Sequence, residues 1–145
     1  MKAEKLLQQN PKVAKELHEW MFDKLTESFK DFDKDEAFKE YMLAKGVSDD
    51  QVHSIVDINP RACFDLLDSH EIIITIHYDK DHNTWHSNYH PDKDALSYSS
   101  RIDCEKHALS IGIVELENLL ENAKRNEDNR GKDEVSIKTN KSGKD

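Results

Sequence analysis

The apolar positions of the chain follow a helical period up to about residue 69, then a period of two, and then a helical period again. In the first part, Asn10-Pro11 is typical of a helix start, because proline fits the first helical turn. Apolar residues then recur at three- and four-residue spacing, which predicts a long amphipathic helix. Its apolar stripe contains Val13, Leu17, Trp20, Met21, Leu25, Phe29 and Phe32.

Three shorter helices are predicted before residue 70. Asp33 is a suitable cap for the first of them, and Gly46 is a suitable stop because glycine tolerates a left-handed backbone. The second opens on a capping box formed by Ser48 and Gln51. The third begins at Asn59-Pro60, like the long helix. The first of these helices is expected to bury Phe38, Tyr41 and Met42.

The alternating stretch over residues 71–90 predicts an antiparallel β-hairpin, with residues 80–83 as a four-residue loop. In this register, His77 faces His86 and Tyr78 faces Trp85. Side chains alternate between the two faces of a strand, so apolar and polar residues separate. The apolar face carries Ile72, Ile74, Ile76, Tyr78, Trp85 and Tyr89, and the other face carries Thr75, His77, His86, Asn88 and His90.

A long final helix follows, capped by Ser99 or Ser100 with Asp103 at the capping-box position. Beyond Ala123 the apolar pattern stops, and such a polar segment cannot offset its ordering entropy. We therefore predict a single α+β domain over residues 1–124 and a disordered polar tail over residues 125–145. The inner stripe of the helix contains Leu109, Ile113, Leu116, Leu120 and Ala123, widened by Ile102, Gly112 and Leu119.

Together these elements predict an α+β fold with a helical N-terminal half, one antiparallel β-hairpin and a long C-terminal helix packed on the hairpin. An isolated hairpin is marginal in water, so its apolar face must pack on helices. We expect Trp85 to lie beside Leu109 or Ile113 of the last helix. Both hairpin edges would be open unless another segment or subunit covered them. This favours a homodimer, formed through a hairpin edge or through the last helix.

Composition narrows the class of function. The net charge of -9 argues against direct binding to nucleic acid, because phosphate contacts need clustered lysine and arginine. It also argues against an anionic membrane surface. The sequence has no apolar run near the ~18 residues of a membrane span, and its N-terminus lacks the apolar region of a secretory signal. Cys63 and Cys104 are far apart, which predicts buried, reduced thiols in a cytoplasmic protein.

Motifs that resemble catalytic or calcium sites fail on their spacing. The acidic runs at residues 31–35 and 79–83 lack the glycine and the glutamate that a calcium loop needs. We interpret them as helix-capping and hairpin-loop residues. Cys104 and His107 are the residue types of a thiolate pair. Side chains three apart on a helix point roughly parallel, however, so these two are not placed to react together. With all of these motifs dismissed, we predict no catalytic residue, no enzyme and no cofactor.

The histidine face of the hairpin leaves three hypotheses open. Imidazoles suit zinc and nickel, and side chains directly opposite in a hairpin lie close together, so His77, His86 and His90 could share a metal. The same residues could contact a partner and respond to pH near neutrality. We prefer the third hypothesis, that they are polar residues on a solvated face, because no established metal-binding motif accompanies them.

One resemblance covers about a third of the chain. A short hairpin with a tryptophan on its second strand, followed by tyrosine, arginine and glutamate leading into a long helix, resembles the C-terminal layout of many small bacteriophage and mobile-element proteins. Arg101 follows the tyrosine by three residues rather than four, and no catalytic residue is carried over. The residues concerned are Trp85, Tyr98, Arg101, Glu105, Ala108 and Leu116.

These observations predict a small acidic, non-enzymatic accessory protein, encoded by a bacteriophage or mobile element, that binds another protein. One form of this role is inhibition of a host system, with the acidic surface occupying a nucleic-acid channel. The alternative is a metal-binding protein or small metal-dependent hydrolase that uses the histidine face, with zinc as its cofactor.

Overall fold

The computed structural model describes residues 2–30, 36–88 and 98–142, with the backbone alone over residues 131–142. Within these residues, six α-helices, a short 3-10 helix and one two-stranded antiparallel sheet form the α+β fold that the sequence predicts. The elements are α1 (Ala3–Gln9), α2 (Pro11–Ser28), α3 (Glu36–Lys45), α4 (Asp49–Ile58), the 3-10 helix (Pro60–Cys63), α5 (Phe64–Ser69), β1 (Ile76–Asp79), β2 (Thr84–Ser87) and α6 (Arg101–Ser142).

The middle of α6 is the centre of the hydrophobic core. Leu109, Ile113 and Leu116 are almost fully buried, as their positions on one helix face predict. They form one cluster with Val13 and Leu17 of α2, among other residues. Because α6 also contacts the 3-10 helix, α5 and β2, this one helix holds both the N-terminal half and the hairpin.

Two residues expected to widen the stripe of α6 are not buried. Ile102 is 40% exposed and Leu119 is 46% exposed. The buried positions of α6 run from Cys104 to Glu117, and both residues lie outside that span. The helical period identifies the face that packs, but the neighbouring elements decide how far along the helix the packing extends.

The predicted helix starts differ in how they are capped. The capping box of α4 is confirmed, since Ser48 Oγ accepts from the backbone N–H of Gln51 and Gln51 Oε1 accepts from that of Ser48. α2 begins at Pro11 as predicted. The Asn10 side chain, however, donates to the carbonyl of Leu6 at 2.7 Å and therefore closes α1 instead of opening α2.

Glu117 of α6 supplies the cap that α2 would otherwise lack. Its Oε2 accepts from the backbone N–H of Val13 at 2.8 Å, and its Oε1 accepts from that of Lys12 at 3.2 Å. A carboxylate at a helix N-terminus satisfies free N–H groups and interacts favourably with the helix dipole. This buried contact joins the first long helix to the last one.

The hairpin has the predicted register. His77 pairs with His86 and Tyr78 pairs with Trp85, with residues 80–83 in the loop. Beyond the strands, the Asn88 side chain continues the ladder by accepting from Thr75 N–H at 2.8 Å and donating to a carbonyl of the preceding segment. At this end of the sheet, the Asn88 side chain therefore makes the hydrogen bonds that a further pair of backbone groups would make.

One edge of the hairpin is partly covered by the chain itself. Trp85 N–H donates to the Tyr98 carbonyl at 2.7 Å, and Tyr98 N–H donates to the Trp85 carbonyl at 3.1 Å. The sequence predicts open edges on both sides, but this pairing occupies the β2 edge at Trp85. A second subunit that paired along β2 would have to displace Tyr98.

A glycine of α6 allows the segment just before β1 to pack closely on this helix. A Cβ at Gly112 would lie 2.7 Å from Leu67 Cδ1 and 3.3 Å from Ile74 Cδ1. Ile72 and Ile74 are both buried, so the residues just before β1 fill the space beside this glycine. The packing of α6 against the apolar end of the hairpin is thus confirmed.

Trp85 meets α6 at a different place from the one expected. The guanidinium of Arg101, in the first turn of α6, lies over the Trp85 ring at 5.5 Å from its centroid. The Tyr78 ring lies on the neighbouring strand, 4.9 Å away. Trp85 is half-buried, and these contacts precede the Leu109–Ile113 segment that the sequence indicates.

The helical backbone of α6 continues past Ala123 to Ser142. Residues 122–130 are all exposed, so this extension has no buried face over the positions described. Most of its residues tolerate helical backbone, which explains how the helix extends without an apolar stripe. A helix without tertiary packing is marginal in water, and the disordered tail over residues 125–145 stays a prediction. No helix among the described residues is both long and apolar enough to cross a membrane.

Candidate functional site

The candidate site is an apolar groove of about 680 Å³ between α2, α3 and α4. Its walls are mostly apolar, with polar residues of α4 along one side. Met21 and Met42 lie on opposite helices and bring flexible, polarisable side chains to it. The apolar lining of the groove consists of Met21, Leu25, Met42, Val47, Ile55 and Ile58.

The α3 helix packs loosely on the rest of the protein, and none of its residues is buried. The prediction that it buries Phe38, Tyr41 and Met42 is therefore wrong: Phe38 is 45% exposed and Tyr41 is 62% exposed. An edge-to-face contact between Phe38 and Phe29, with ring centroids 6.4 Å apart, holds its first turns near the end of α2. Gly46 ends α3 with a positive φ, as predicted.

Large apolar side chains remain accessible at the rim of this groove. Ile58, the last residue of α4, is 72% exposed, and it lines the groove together with the half-buried Ile55. Scattered apolar residues on a surface are ordinary. A cluster around a depression with a polar border is instead typical of a site that binds another molecule.

The groove is lined by one acidic and one basic side chain. α4 carries Asp49, Asp50 and Asp57 and contains neither lysine nor arginine. Asp50 lines the groove, whereas the cation of the lining, Lys24, lies over the Trp20 ring at 5.9 Å from its centroid. Of the three carboxylates only Asp50 lines the groove, because Asp49 pairs with His18 at 2.8 Å and Asp57 lines a different depression.

The histidine face brings together two of the three predicted ligands. The rings of His77 and His86 stack with centroids 5.5 Å apart and an interplanar angle of 19°. The Thr84 hydroxyl lies 2.9 Å from Nε2 of His86, so that nitrogen already has a hydrogen-bond partner. His90 lies outside the described residues. Among the residues that are described, no group of three or more His, Cys, Asp or Glu is placed to hold a metal ion.

The environment of the cysteines opposes nucleophilic chemistry. Both are buried and unpaired. Burial raises the pKa of the Cys63 thiol to about 12. Burial, and then the nearby Glu105 carboxylate, raise the pKa of Cys104. A reactive cysteine needs a lowered pKa, whereas the Cys104 environment disfavours the thiolate.

The hairpin loop uses its acidic residues for local structure, as predicted. Asp79 accepts hydrogen bonds from the N–H groups of Asp81 and His82, and its other oxygen lies 2.8 Å from Nδ1 of His82. The bond to His82 is the main cause that lowers the pKa of Asp79. The other acidic run, residues 31–35, lies outside the described residues.

A second depression of about 600 Å³ lies between α1, α4 and α6. It is lined by Lys2 and Lys106 but also by Asp57 and Asp103. Asp57 Oδ1 is already engaged by the N–H of Ala3 at 3.3 Å. The charges of opposite sign offset one another, so this depression selects neither anions nor cations.

Comparisons of the chain with protein-family models, with curated proteins and with solved structures found no match. The proposals below therefore depend on the geometry of the chain itself. Sequence reasoning missed the groove because Met42, Phe38 and Tyr41 have the spacing of a buried face. The one sign in the sequence of an accessible surface here was the composition of α4, which has carboxylates beside apolar residues and neither lysine nor arginine.

Proposed function

We propose that this chain is a non-enzymatic accessory protein that binds another protein through the apolar groove. The observation that carries the proposal is the accessible apolar lining of the groove, with Ile58 72% exposed at the rim and Met21, Met42 and Ile55 only half-buried. Exposed apolar clusters with polar borders mark protein-binding surfaces. Helical grooves of this kind bind the apolar face of a partner helix.

The wider proposal follows the chain's composition. The resemblance to bacteriophage and mobile-element proteins suggests a mobile-element origin, and inhibition of a host system is one form of the role. The net charge of -9 disfavours direct contact with nucleic acid. Two buried, unpaired cysteines support a cytoplasmic location. Exposed Val114 and Leu119 on α6 support a homodimer through the last helix.

Affinity capture from the native host, with matched variants, tests the proposal. Ile58→Asp places a charge on the groove rim, and Ile73→Asp makes the same change at a 52% exposed position outside the groove lining. Both residues are exposed, so thermal unfolding should confirm that both variants fold. We expect Ile58→Asp to lose a stoichiometric protein partner that the wild type and Ile73→Asp retain. Equal capture by all three would contradict the proposal.

Metal binding by His77, His86 and His90 is the second candidate, because the first two rings are stacked in the structure. We expect no bound zinc, nickel, iron or manganese when untagged protein, purified without a metal column, is measured by elemental analysis. Near-stoichiometric zinc that disappears in the His77→Asn/His86→Asn double variant would establish this function in place of the first. Metal linkage would then also add stability that the variant lacks.

A further inference from the structure

We propose that two copies of the chain join through the outer edge of β1, so that the two hairpins form one four-stranded antiparallel sheet. This inference rests on the homodimer of the proposed function and names a surface for it, apart from the exposed residues of α6. It follows from the backbone groups of the hairpin that lack a partner, from the side chains beside them, and from the match between the strand and a second copy of itself.

The hydrogen bonds of Trp85 show which backbone groups of β1 point outward. In an antiparallel pair, opposite residues alternate between exchanging two backbone hydrogen bonds with each other and exchanging none. Trp85 uses both its N–H and its carbonyl on Tyr98, so Tyr78, its partner on β1, exchanges none with it. The N–H and carbonyl of Tyr78, and those of Ile76 two positions earlier, therefore point away from β2.

A second hydrogen bond agrees with this alternation. Thr75 lies three positions before Tyr78, where the alternation requires bonds across the pair, and its carbonyl accepts from the N–H of Asn88 at 3.1 Å. In the part of the chain that the structure describes, nothing bonds to the outward groups of Ile76 and Tyr78. The edge is accessible, since Tyr78 is 42% exposed. An open strand edge of this kind is a template for another strand.

The side chains of β1 offer little that would repel another strand. Lysine, proline and bulges are the common means by which proteins protect an edge. The strand contains neither residue, and its pairing with β2 is continuous. Asp79 is its one formal charge, and this carboxylate already accepts from two N–H groups of the hairpin loop. The edge is therefore close to neutral in a protein whose net charge is -9.

The strand is complementary to a second copy of itself. Antiparallel pairing about a twofold axis at His77 places each Ile76 opposite the second copy's Tyr78. These two pairs would each exchange two backbone hydrogen bonds through their outward groups. A ring opposite a β-branched side chain is also a favourable cross-strand pair. Each Asp79 would lie opposite the second copy's Thr75, so no carboxylate faces another one.

The molar mass in solution tests the inference. Light scattering of the full chain after size exclusion, at concentrations up to about 1 mM, should give the mass of a dimer. Tyr78→Pro should give a monomer, because proline lacks the outward N–H and removes no bond to β2. Tyr78→Ala is the matched control: it loses the same ring but keeps the N–H, so it should still dimerise at the highest concentration. Circular dichroism checks that both variants fold.

A cysteine at the twofold axis tests the register. His77→Cys would place two thiols directly opposite each other, with β-carbons about 4.5–5.5 Å apart, near the spacing of a disulfide. Mild oxidation should therefore give a linked dimer that a reductant separates. His82→Cys is the control, because residue 82 is exposed in the hairpin loop and away from the axis. The native Cys63 and Cys104 are buried, so they do not compete.

The outcomes separate this edge from the other surfaces. Leu119, which is 46% exposed on α6, gives the comparison variant Leu119→Lys. A dimer that Tyr78→Pro loses and Leu119→Lys keeps, with selective cross-linking of His77→Cys, supports the inference. A dimer that only Leu119→Lys loses overturns it and leaves the contact on α6, and a monomer at every concentration also overturns it. Partner capture through the groove is measured with Ile58→Asp, so that part of the proposed function stands or falls separately.

Discussion

Glu117 carries a charge at a position where the protein leaves little room for water. Its side chain is buried and accepts from two backbone N–H groups at the start of α2. Lys12 adds a longer ion pair with Glu121, at 3.6 Å, one turn further along α6. Glu117 therefore accepts hydrogen bonds from the free N–H groups of α2 while it lies on the buried face of α6.

We expect Glu117→Ala to lower the free energy of unfolding by about 1–3 kcal/mol, because it leaves buried N–H groups without an acceptor. Urea unfolding followed by circular dichroism measures the change. Glu115→Ala is the matched control: Glu115 is an exposed glutamate of the same helix, so its loss should change stability by no more than about 0.5 kcal/mol. Similar effects of both substitutions would show that Glu117 does not cap α2.

This cap also marks the limit of prediction at the scale of residues. Asn10-Pro11 predicts where α2 begins, and the structure agrees. The sequence cannot indicate that the acceptor comes from a residue more than one hundred positions away, because that contact depends on how α6 packs. Local motifs such as Ser48 with Gln51 are predictable because both partners lie within one turn.

At the scale of elements, the hairpin shows why some predictions succeed, and α3 shows why others fail. The hairpin register follows from its alternation and its loop length, which are local properties, and the observed pairs agree. The apolar face of α3 was predicted by the same kind of periodicity, yet Phe38 and Tyr41 are exposed. Periodicity identifies an apolar face, but it carries no information about whether this chain or another one covers it.

The hairpin supplies the prediction at this scale. Trp85→Ala should lower the free energy of unfolding by about 2 kcal/mol, less than the ~3–5 kcal/mol of a fully buried tryptophan, because Trp85 is half-buried. The lost contacts are those with Tyr78 and Arg101. Thermal and urea unfolding measure the change.

Trp85→Phe is the control, since it keeps an aromatic ring beside Arg101 and should cost less. Tyr78→Ala removes the 42% exposed ring on the neighbouring strand and should have a smaller effect than Trp85→Ala. Unchanged stability in Trp85→Ala would mean that this part of the hairpin does not stabilise the start of α6.

At the scale of the whole molecule, α6 organises the fold. Leu109, Ile113 and Leu116 of its predicted stripe are buried as expected. Leu120 is only half-buried, and the prediction that Ala123 faces the core is wrong because Ala123 is exposed. The elements that pack on it could not be predicted, because pairwise docking depends on features such as Gly112, where a missing Cβ admits Leu67 and Ile74. The helical backbone of α6 continues to Ser142, past the end of the predicted apolar stripe, since a helical backbone needs no apolar stripe to continue.

The extension of α6 leads to a prediction for the complete chain. Deleting residues 126–145 should shift the Tm by less than about 3 °C, because residues 122–130 are exposed and the deleted segment has few apolar residues. The deletion removes five acidic and five basic residues, so the net charge does not change. Calorimetry gives the Tm, and circular dichroism shows how much of the segment is helical in solution.

A longer deletion is the control. Removing residues 116–145 takes away Leu116 and Glu117 and should prevent stable folding, because both are buried. A loss of many degrees after the shorter deletion would show that residues 126–145 pack on the domain.

The distance along the chain between Val13 and Glu117 also has a consequence in time. Ribosomes add about 5–20 residues per second, so the 104 residues that separate this pair take about 5–20 s to make. Throughout that interval α2 has neither its cap nor the helix that buries Leu17. The growing chain must therefore pass through a stage in which its apolar helix faces are open to chaperones, proteases and other unfinished chains.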